Sequence, residues 1–112
     1  MNSSGSIVRH LEEWLSSKRA ILGNAGINVT EFFPGADSAA PWKASIGLVK
    51  DDILVNYTVW EQTVFQTELL VVDGKSGNAL LCEEVIVERA DEIEPKLNRL
   101  IDDLILRNFV KP

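Results

Sequence analysis

Three patterns predict an α+β fold in which an antiparallel meander of four to five strands packs against an N-terminal and a C-terminal amphipathic helix. Residues 42–88 alternate apolar and polar side chains and contain short polar turns, as consecutive strands do. Residues 6–22 and 91–109 instead carry apolar side chains every three or four positions, which is typical of amphipathic helices. At 112 residues, the chain is predicted to be a single domain, 1–112.

The N-terminal helix is predicted over residues 6–22, with Gly23 as the residue that ends it. Trp14 lies within the apolar stripe of this helix, so we expect it in the core. His10 lies at the edge of the stripe and is expected on the helix surface. As the only histidine, it cannot anchor a site built from several histidines. The stripe consists of Ile7, Leu11, Trp14, Leu15, Ile21 and Leu22.

The alternation over residues 26–33 indicates a short first strand, which Pro34 ends. Residues 34–41 are small and polar and are bounded by prolines, which is typical of a loop. This segment is interpreted as a surface connection between the first strand and the meander.

The first hairpin of the meander is predicted from strands over residues 42–49 and 53–60. A turn that begins at Lys50 places Leu48 opposite Ile53. The apolar residues of the two strands then share one face, and this agreement supports the hairpin.

The second hairpin is predicted from residues 64–73 and 78–88, which flank the turn sequence DGKSG. Pairing the two strand ends across this turn sets Glu68 opposite Glu83 on the reverse face of the sheet. The same pairing turns Cys82 toward the apolar face, where we expect it as a small buried side chain.

The reverse face is then polar but contains a large aromatic side chain. The facing carboxylates Glu68 and Glu83 repel each other unless a cation or a basic partner neutralises them. Three interpretations remain open: a divalent metal, for which this face offers few ligands; a different register that separates the two residues; and a docking surface for Arg or Lys of a partner, anchored by Trp60. The predicted contacts are Trp60, Glu68, Glu83, Asp51 and Asp52.

The C-terminal helix is predicted to begin at Asp91 as its N-cap, with Glu94 three residues later and Pro95 in the first turn. Its apolar stripe continues to Phe109. We expect this stripe to cover the apolar face of the sheet, since an isolated amphipathic helix gains most of its stability by packing.

The charge of the chain bears on its partners. A net charge of −6 and a pI near 4.7 disfavour direct binding of nucleic acid and favour encounter with a basic protein, although acidity also serves solubility alone. One cysteine excludes an internal disulfide and suggests a reducing compartment. No stretch has the roughly 18 to 20 apolar residues of a membrane span, and the N-terminus lacks the pattern of a signal peptide, so a cytoplasmic location is expected.

No enzymatic template is complete in the sequence. The Gly-Lys-Ser of DGKSG lacks the spacing of a phosphate-binding loop and lies between two strands rather than before a helix. Adjacent carboxylates such as Glu83 and Glu84 point to opposite faces of a strand, so they are not a general acid and base pair. We therefore expect a protein that is not an enzyme and needs no cofactor.

The order of elements, with the segments WKASIGL, TVWE and ELLVVDGKSG, resembles the immunity proteins encoded beside bacterial polymorphic toxins and contact-dependent growth inhibition systems. Within that class it is similar to the TriTu-type immunity family, which is associated with three tryptophans, here Trp14, Trp42 and Trp60. The resemblance implies a protein that binds the C-terminal domain of a cognate toxin, often a nuclease, and blocks its active site or substrate access. Such a protein would act in the cytoplasm as a monomer or weak homodimer.

Two other classes are compatible with the same order of elements. A type III secretion chaperone would cradle an unfolded effector segment and expose an apolar groove. A small-ligand-binding α+β module would enclose a cavity between sheet and helices. Tight binding of a folded basic domain favours immunity, binding of an extended peptide favours the chaperone, and a deep apolar cavity favours the ligand module.

Overall fold

Five antiparallel strands form one sheet in which each strand pairs with its neighbour in the chain, and two helices flank the strands in sequence. The computed structural model describes residues 6–33, 43–61 and 64–106. The predicted α+β fold with an antiparallel meander is therefore confirmed. The elements are α1 (Ser6–Asn24), β1 (Asn28–Phe33), β2 (Lys43–Lys50), β3 (Ile53–Glu61), β4 (Phe65–Asp73), β5 (Ala79–Val87), a 3-10 turn (Ala90–Glu92) and α2 (Ile93–Ile105).

Helix α1 ends at a left-handed glycine, but at Gly26 rather than at the predicted Gly23. Gly26 has a φ of +75°, and its N–H donates to the carbonyl of Gly23. The Ile27 N–H donates to the carbonyl of Leu22 at 2.9 Å, which completes a Schellman motif. Gly23 lies inside the last turn of the helix. A single glycine is tolerated at such a position, and the left-handed Gly26 that follows ends the helix.

Strand β1 places Val29 and Phe32 against the core, although an even alternation would separate them. An irregularity in the pairing with β2 between Val29 and Glu31 accounts for this spacing. A Cβ added at Gly47 in β2 would lie 2.6 Å from Thr30 Oγ1, so any larger residue there would displace the Thr30 side chain. The predicted loop at residues 34–41 lies outside the described residues.

The β2–β3 turn lies one residue later in the chain than the predicted two-residue turn of Lys50 and Asp51. Lys50 pairs with Ile53, so only Asp51 and Asp52 form the turn, and Leu48 lies opposite Val55 instead of Ile53. The shift is two residues, which keeps every apolar side chain on the predicted face. Asp51 adopts a φ of 54°, a left-handed conformation that aspartate tolerates better than most residues.

The β4–β5 hairpin departs from the predicted pairing in a way that changes faces. Next to the turn Val72 lies opposite Ala79, as predicted, but one extra residue, Leu80, then displaces the register by one. Glu68 consequently lies opposite Glu84 and not opposite Glu83. The predicted Glu68–Glu83 pair is wrong, because a displacement of one residue turns every later side chain of the strand to the other face.

The sequence of β5 explains why its pattern alone does not reveal this bulge. Both alternations along the strand are largely apolar, so either set can be buried. In the structure Val87 is 3% exposed and Val85 packs against the core, while Ile86 is 66% exposed. Cys82 is exposed, which corrects the prediction of a buried thiol.

Both helices bury most of their apolar stripes against the inner face of the sheet, which we define by Ile46, Val55 and Val71 in three adjacent strands. Ile21, predicted in the stripe of α1, is instead 47% exposed. Trp14 is 4% exposed, as predicted for a core residue, and its Nε1–H donates to Asn98 Oδ1 of α2 at 2.9 Å. His10 is exposed, also as predicted. The largest fully buried side chains are Ile7, Leu11, Leu22, Ile46, Leu48, Ile93, Leu97, Leu104, Val59 and Val71.

The N-cap of helix α2 is Glu92, one residue later than the predicted Asp91 and at the end of the 3-10 turn. Asp91 does not cap it, because its carboxylate accepts hydrogen bonds from the Arg89 guanidinium at 3.1 and 3.2 Å. Pro95 lies in the first turn, where a missing N–H is tolerated. Ile105, predicted in the apolar stripe, is 41% exposed, and Phe109 lies outside the described residues.

Candidate functional site

The outer face of the sheet, opposite the helices, carries two of the five residues predicted to bind a partner, Trp60 and Glu68. We define this face by Asn56 and Thr58 of β3, Glu68 of β4 and Glu84 of β5, which lie on one side of three adjacent strands. Thr58 donates a hydrogen bond to Asn56 Oδ1 at 2.9 Å. The predicted polar character of this part of the face is confirmed.

Two carboxylates meet across the β4–β5 pair. Glu68 is partly buried and lies directly opposite the exposed Glu84. Within the described residues, no lysine or arginine forms an ion pair with either carboxylate, and no group of three or more His, Cys, Asp or Glu side chains is placed to hold a metal ion. Like charges at opposed positions destabilise a sheet, so a cation from outside would relieve their repulsion.

Trp60 lies close to this carboxylate pair on the same face. It is opposite Gln66 in β4, which makes Glu68 its diagonal neighbour, about 7 to 8 Å away at the backbone. On its other side Trp60 faces Lys43 of β2, whose Nζ lies 5.7 Å from the centre of the ring. The half-buried indole thus presents a large apolar surface beside two carboxylates.

Glu83 does not belong to this group. The bulge in β5 turns its side chain to the inner side of the sheet, opposite Leu69, where it lines a cavity beneath α2. Its neighbour Glu84 takes the position on the outer face that was predicted for Glu83. The turn sequence contains no signal of the bulge, because the extra residue Leu80 lies within β5 and the pairing next to the turn is as predicted.

Asp51 and Asp52 lie at the far end of the sheet from Trp60. Asp52 and Trp60 are eight positions apart along an extended strand, a distance of about 26 Å. Lys50 Nζ lies 3.4 Å from Asp51, and Lys75 Nζ lies 3.3 Å from Asp52. The two aspartates therefore form a separate, partly neutralised charge cluster, and the five predicted contacts do not make one site.

The turn sequence DGKSG forms a hairpin connection rather than a phosphate-binding loop. The Asp73 carboxylate accepts hydrogen bonds from the backbone N–H of Lys75 at 2.9 Å and from the Ser76 hydroxyl at 3.1 Å. The Lys75 N–H holds the pKa of Asp73 below its usual range. The N–H and O–H donors that a phosphate would need are thus already bonded to the Asp73 carboxylate of the same turn.

An apolar patch on the outer face was not predicted. Leu54 is 43% exposed and lies opposite Val72, while Leu70 is 36% exposed and lies opposite Cys82. The alternation of β3 and β4 contains this signal, since Leu54, Leu70 and Val72 fall on the polar set of positions. The outer face therefore combines carboxylates, an indole and a small apolar area, as protein-binding surfaces often do.

None of the described helices is long and apolar enough to cross a lipid bilayer. Trp42, one of the three tryptophans that suggested the immunity resemblance, lies outside the described residues.

No family model matches the chain, and no curated protein or solved structure is significantly similar to it. What the protein binds is therefore inferred from the geometry of its own surfaces.

Proposed function

We propose that the protein is an immunity protein that binds a cognate toxin domain through the outer face of its sheet and blocks the active site or substrate access of that domain. The observation that carries this proposal is the Glu68–Glu84 pair beside Trp60. No lysine or arginine among the described residues pairs with these two carboxylates, so an arginine or lysine of a partner can neutralise them. The Trp60 indole supplies an aromatic anchor, a kind of contact that dominates the affinity of many interfaces.

The charge of the whole molecule supports the same role. With a net charge of −6, the protein attracts a basic domain over a distance and speeds its encounter. A nuclease is a suitable class of target, because the surface that binds its nucleic-acid substrate is basic. Inhibition by binding requires neither a catalytic group nor a cofactor, and it takes place in the cytoplasm, where such a toxin acts.

The proposed contacts are revised by the geometry. Trp60 and Glu68 are kept, and Glu84 replaces Glu83 because Glu84 shares their face. Asp51 and Asp52 would contact only a partner that extends along the strands from Trp60 to the opposite end of the sheet. An immunity protein with this arrangement covers its target with strands β3, β4 and β5.

The test begins with a pull-down from cells that express the neighbouring reading frames, followed by titration of the captured partner. We expect a folded basic domain bound one to one. Replacing the anchor in Trp60→Ala should weaken binding by about tenfold or more, and Glu84→Gln should weaken it by about threefold to tenfold.

Glu83→Gln is the matched control, since it removes the same charge from the adjacent residue on the opposite face. If Glu83→Gln and Glu84→Gln lost the same amount of affinity, the effect would come from net charge alone. That result would contradict a specific binding site on the outer face. Capture of an extended, unfolded segment of a secreted protein would instead support the chaperone class and overturn the immunity proposal.

A further inference from the structure

A cavity of about 370 Å³ lies between the inner side of the sheet and α2, on the side of the core farthest from β1. Its apolar walls are formed by Leu69, Leu81 and Val85 of the sheet and Leu100 of the helix. The volume is within the range of about 300 to 1,000 Å³ that is usual for small-molecule sites. This cavity is separated by the sheet from the outer-face residues described above.

A buried hydroxyl without a partner lies at the base of this cavity. Tyr57 lines the cavity, is 4% exposed, and its Oη makes no hydrogen bond within the described part of the chain. The neighbouring Thr67 hydroxyl donates its hydrogen to the Val85 carbonyl at 2.8 Å and retains only acceptor capacity toward Tyr57. The Tyr57 hydroxyl therefore retains a hydrogen that it can donate to a group bound in the cavity.

The mouth of the cavity carries opposite charges on its two sides. Glu83 of β5 lines one side, and Lys96 and Arg99 of α2 line the other. Among the described residues, none of these three side chains forms an ion pair. Asp103 also lines the cavity and is engaged in an interaction of its own. Unpaired charges of both signs across an opening fit a molecule that carries both signs itself.

The bulge in β5 creates this arrangement. Without Leu80 as an extra residue, Glu83 would lie on the outer face and the strand would present Cys82 and Glu84 to the helix. With it, the strand supplies an acidic group at the mouth and two apolar side chains to the walls. Bulges are common beside binding sites because they redirect side chains in this way.

We propose that the cavity binds a free aromatic amino acid whose ring carries a polar group. Its ammonium pairs with Glu83 and its carboxylate pairs with Lys96 and Arg99, while the ring lies between Leu69 and Leu100. The polar group on the ring reaches the Tyr57 hydroxyl. That hydroxyl has no contact with solvent in the free protein, so binding requires the side chains above it to move when the ligand enters.

L-Tyrosine is the first probe, added to the full-length chain and followed by isotope-edited NMR of the backbone amides. We expect shifts that cluster at β5 and α2. L-Phenylalanine lacks the ring hydroxyl, tyramine lacks the carboxylate and 3-(4-hydroxyphenyl)propionate lacks the ammonium. Each should bind about fivefold more weakly than L-tyrosine, since each loses one of the three polar contacts.

Two variants assign the contacts. In Tyr57→Phe the preference for L-tyrosine over L-phenylalanine should disappear, and in Glu83→Gln the preference for L-tyrosine over the propionate should disappear. Glu94→Gln removes an exposed carboxylate from the same helix that supplies Lys96, away from this cavity, and should leave both preferences intact. Thermal unfolding of each variant establishes that it is folded.

Absence of shifts with all four compounds at millimolar concentration would overturn the proposal and leave water as the occupant of the cavity. Equal affinities for the four compounds, or preferences that survive in both Tyr57→Phe and Glu83→Gln, would also overturn it. These outcomes are independent of toxin binding, because the probes contact the inner side of the sheet and the toxin is proposed to contact the outer face.

Discussion

At the scale of a single residue, Tyr57 has the most directly measurable consequence of burial. Burial disfavours the phenolate and raises the pKa of Tyr57 from 10.0 to about 12, an effect that the Thr67 hydroxyl partly offsets. The folded state therefore favours the neutral hydroxyl. Its contribution to stability is complete below pH 10 and is lost as the pH rises toward 12.

We expect this one residue to remove about 2 to 3 kcal/mol from the free energy of unfolding between those two pH values. Tyr57 is the only tyrosine, so the absorbance change of phenolate formation in the native protein reports its pKa alone. An ordinary tyrosine titration curve in the folded protein would contradict the burial of this hydroxyl.

The same hydroxyl makes Tyr57→Phe an informative substitution for stability. Because Oη has no hydrogen-bond partner among the described residues, its removal should raise the free energy of unfolding near neutral pH by about 1 kcal/mol. The loss of stability at alkaline pH should be smaller than in the wild type. Urea unfolding of both proteins provides the comparison, and a destabilised variant would show that the hydroxyl is bonded in the native state.

At the scale of an element, two glycines at the end of α1 should respond oppositely to alanine. Gly26 has a φ of +75°, where a side chain costs about 1 to 2 kcal/mol. Gly23 is helical, and a Cβ added there meets nothing within 4 Å, so Gly23→Ala should stabilise the protein by about 0.5 to 1 kcal/mol. Chemical unfolding measures both changes. Destabilisation by Gly23→Ala would instead place the end of the helix at Gly23.

The bulge in β5 is tested by the reactivity of Cys82. Since the displaced register places this thiol on the outer face, we expect a disulfide reagent to modify the native protein within about tenfold of the rate for the unfolded chain. A bulge-free strand would bury the thiol and protect it until the protein unfolds. Strong protection would therefore restore the pairing predicted from the turn.

At the scale of the whole molecule, a hydrogen bond from Trp14 Nε1–H to Asn98 Oδ1 links the two helices across 84 positions of the chain. Asn98→Ala leaves the indole N–H of a nearly buried tryptophan without its acceptor, so we expect a loss of about 1 to 3 kcal/mol in the free energy of unfolding.

Asn98→Asp is the control for this link, because it keeps an oxygen acceptor at the same position and should lose less stability than the alanine variant. Urea unfolding followed by tryptophan fluorescence detects both the stability and the environment of the helices. Equal stability of the wild type and Asn98→Ala would show that the two helices are held by apolar packing alone.

The sheet divides the molecule into two chemically different sides, and much of this division was predictable. Period-two alternation located the strands, and the apolar set in β2 and β3 marked the buried face. Trp60 and Glu68 were placed on the outer face for the same reason. The cavity, the unpartnered Tyr57 hydroxyl and the charges at its mouth were not predictable, because they depend on how α2 lies over strands distant in sequence.

The sequence by itself determined the types of the elements, their order and the apolar face of β2 and β3, because these properties follow from the local spacing of side chains. Only the tertiary structure decided which face each residue of β5 presents. Both alternations of ALLCEEVIV are apolar enough to be buried, so packing of Val85 and Val87 against the core selects between them. That choice moves Glu83 to the cavity and Glu84 to the outer face, since a strand cannot reverse one side chain without reversing its neighbours.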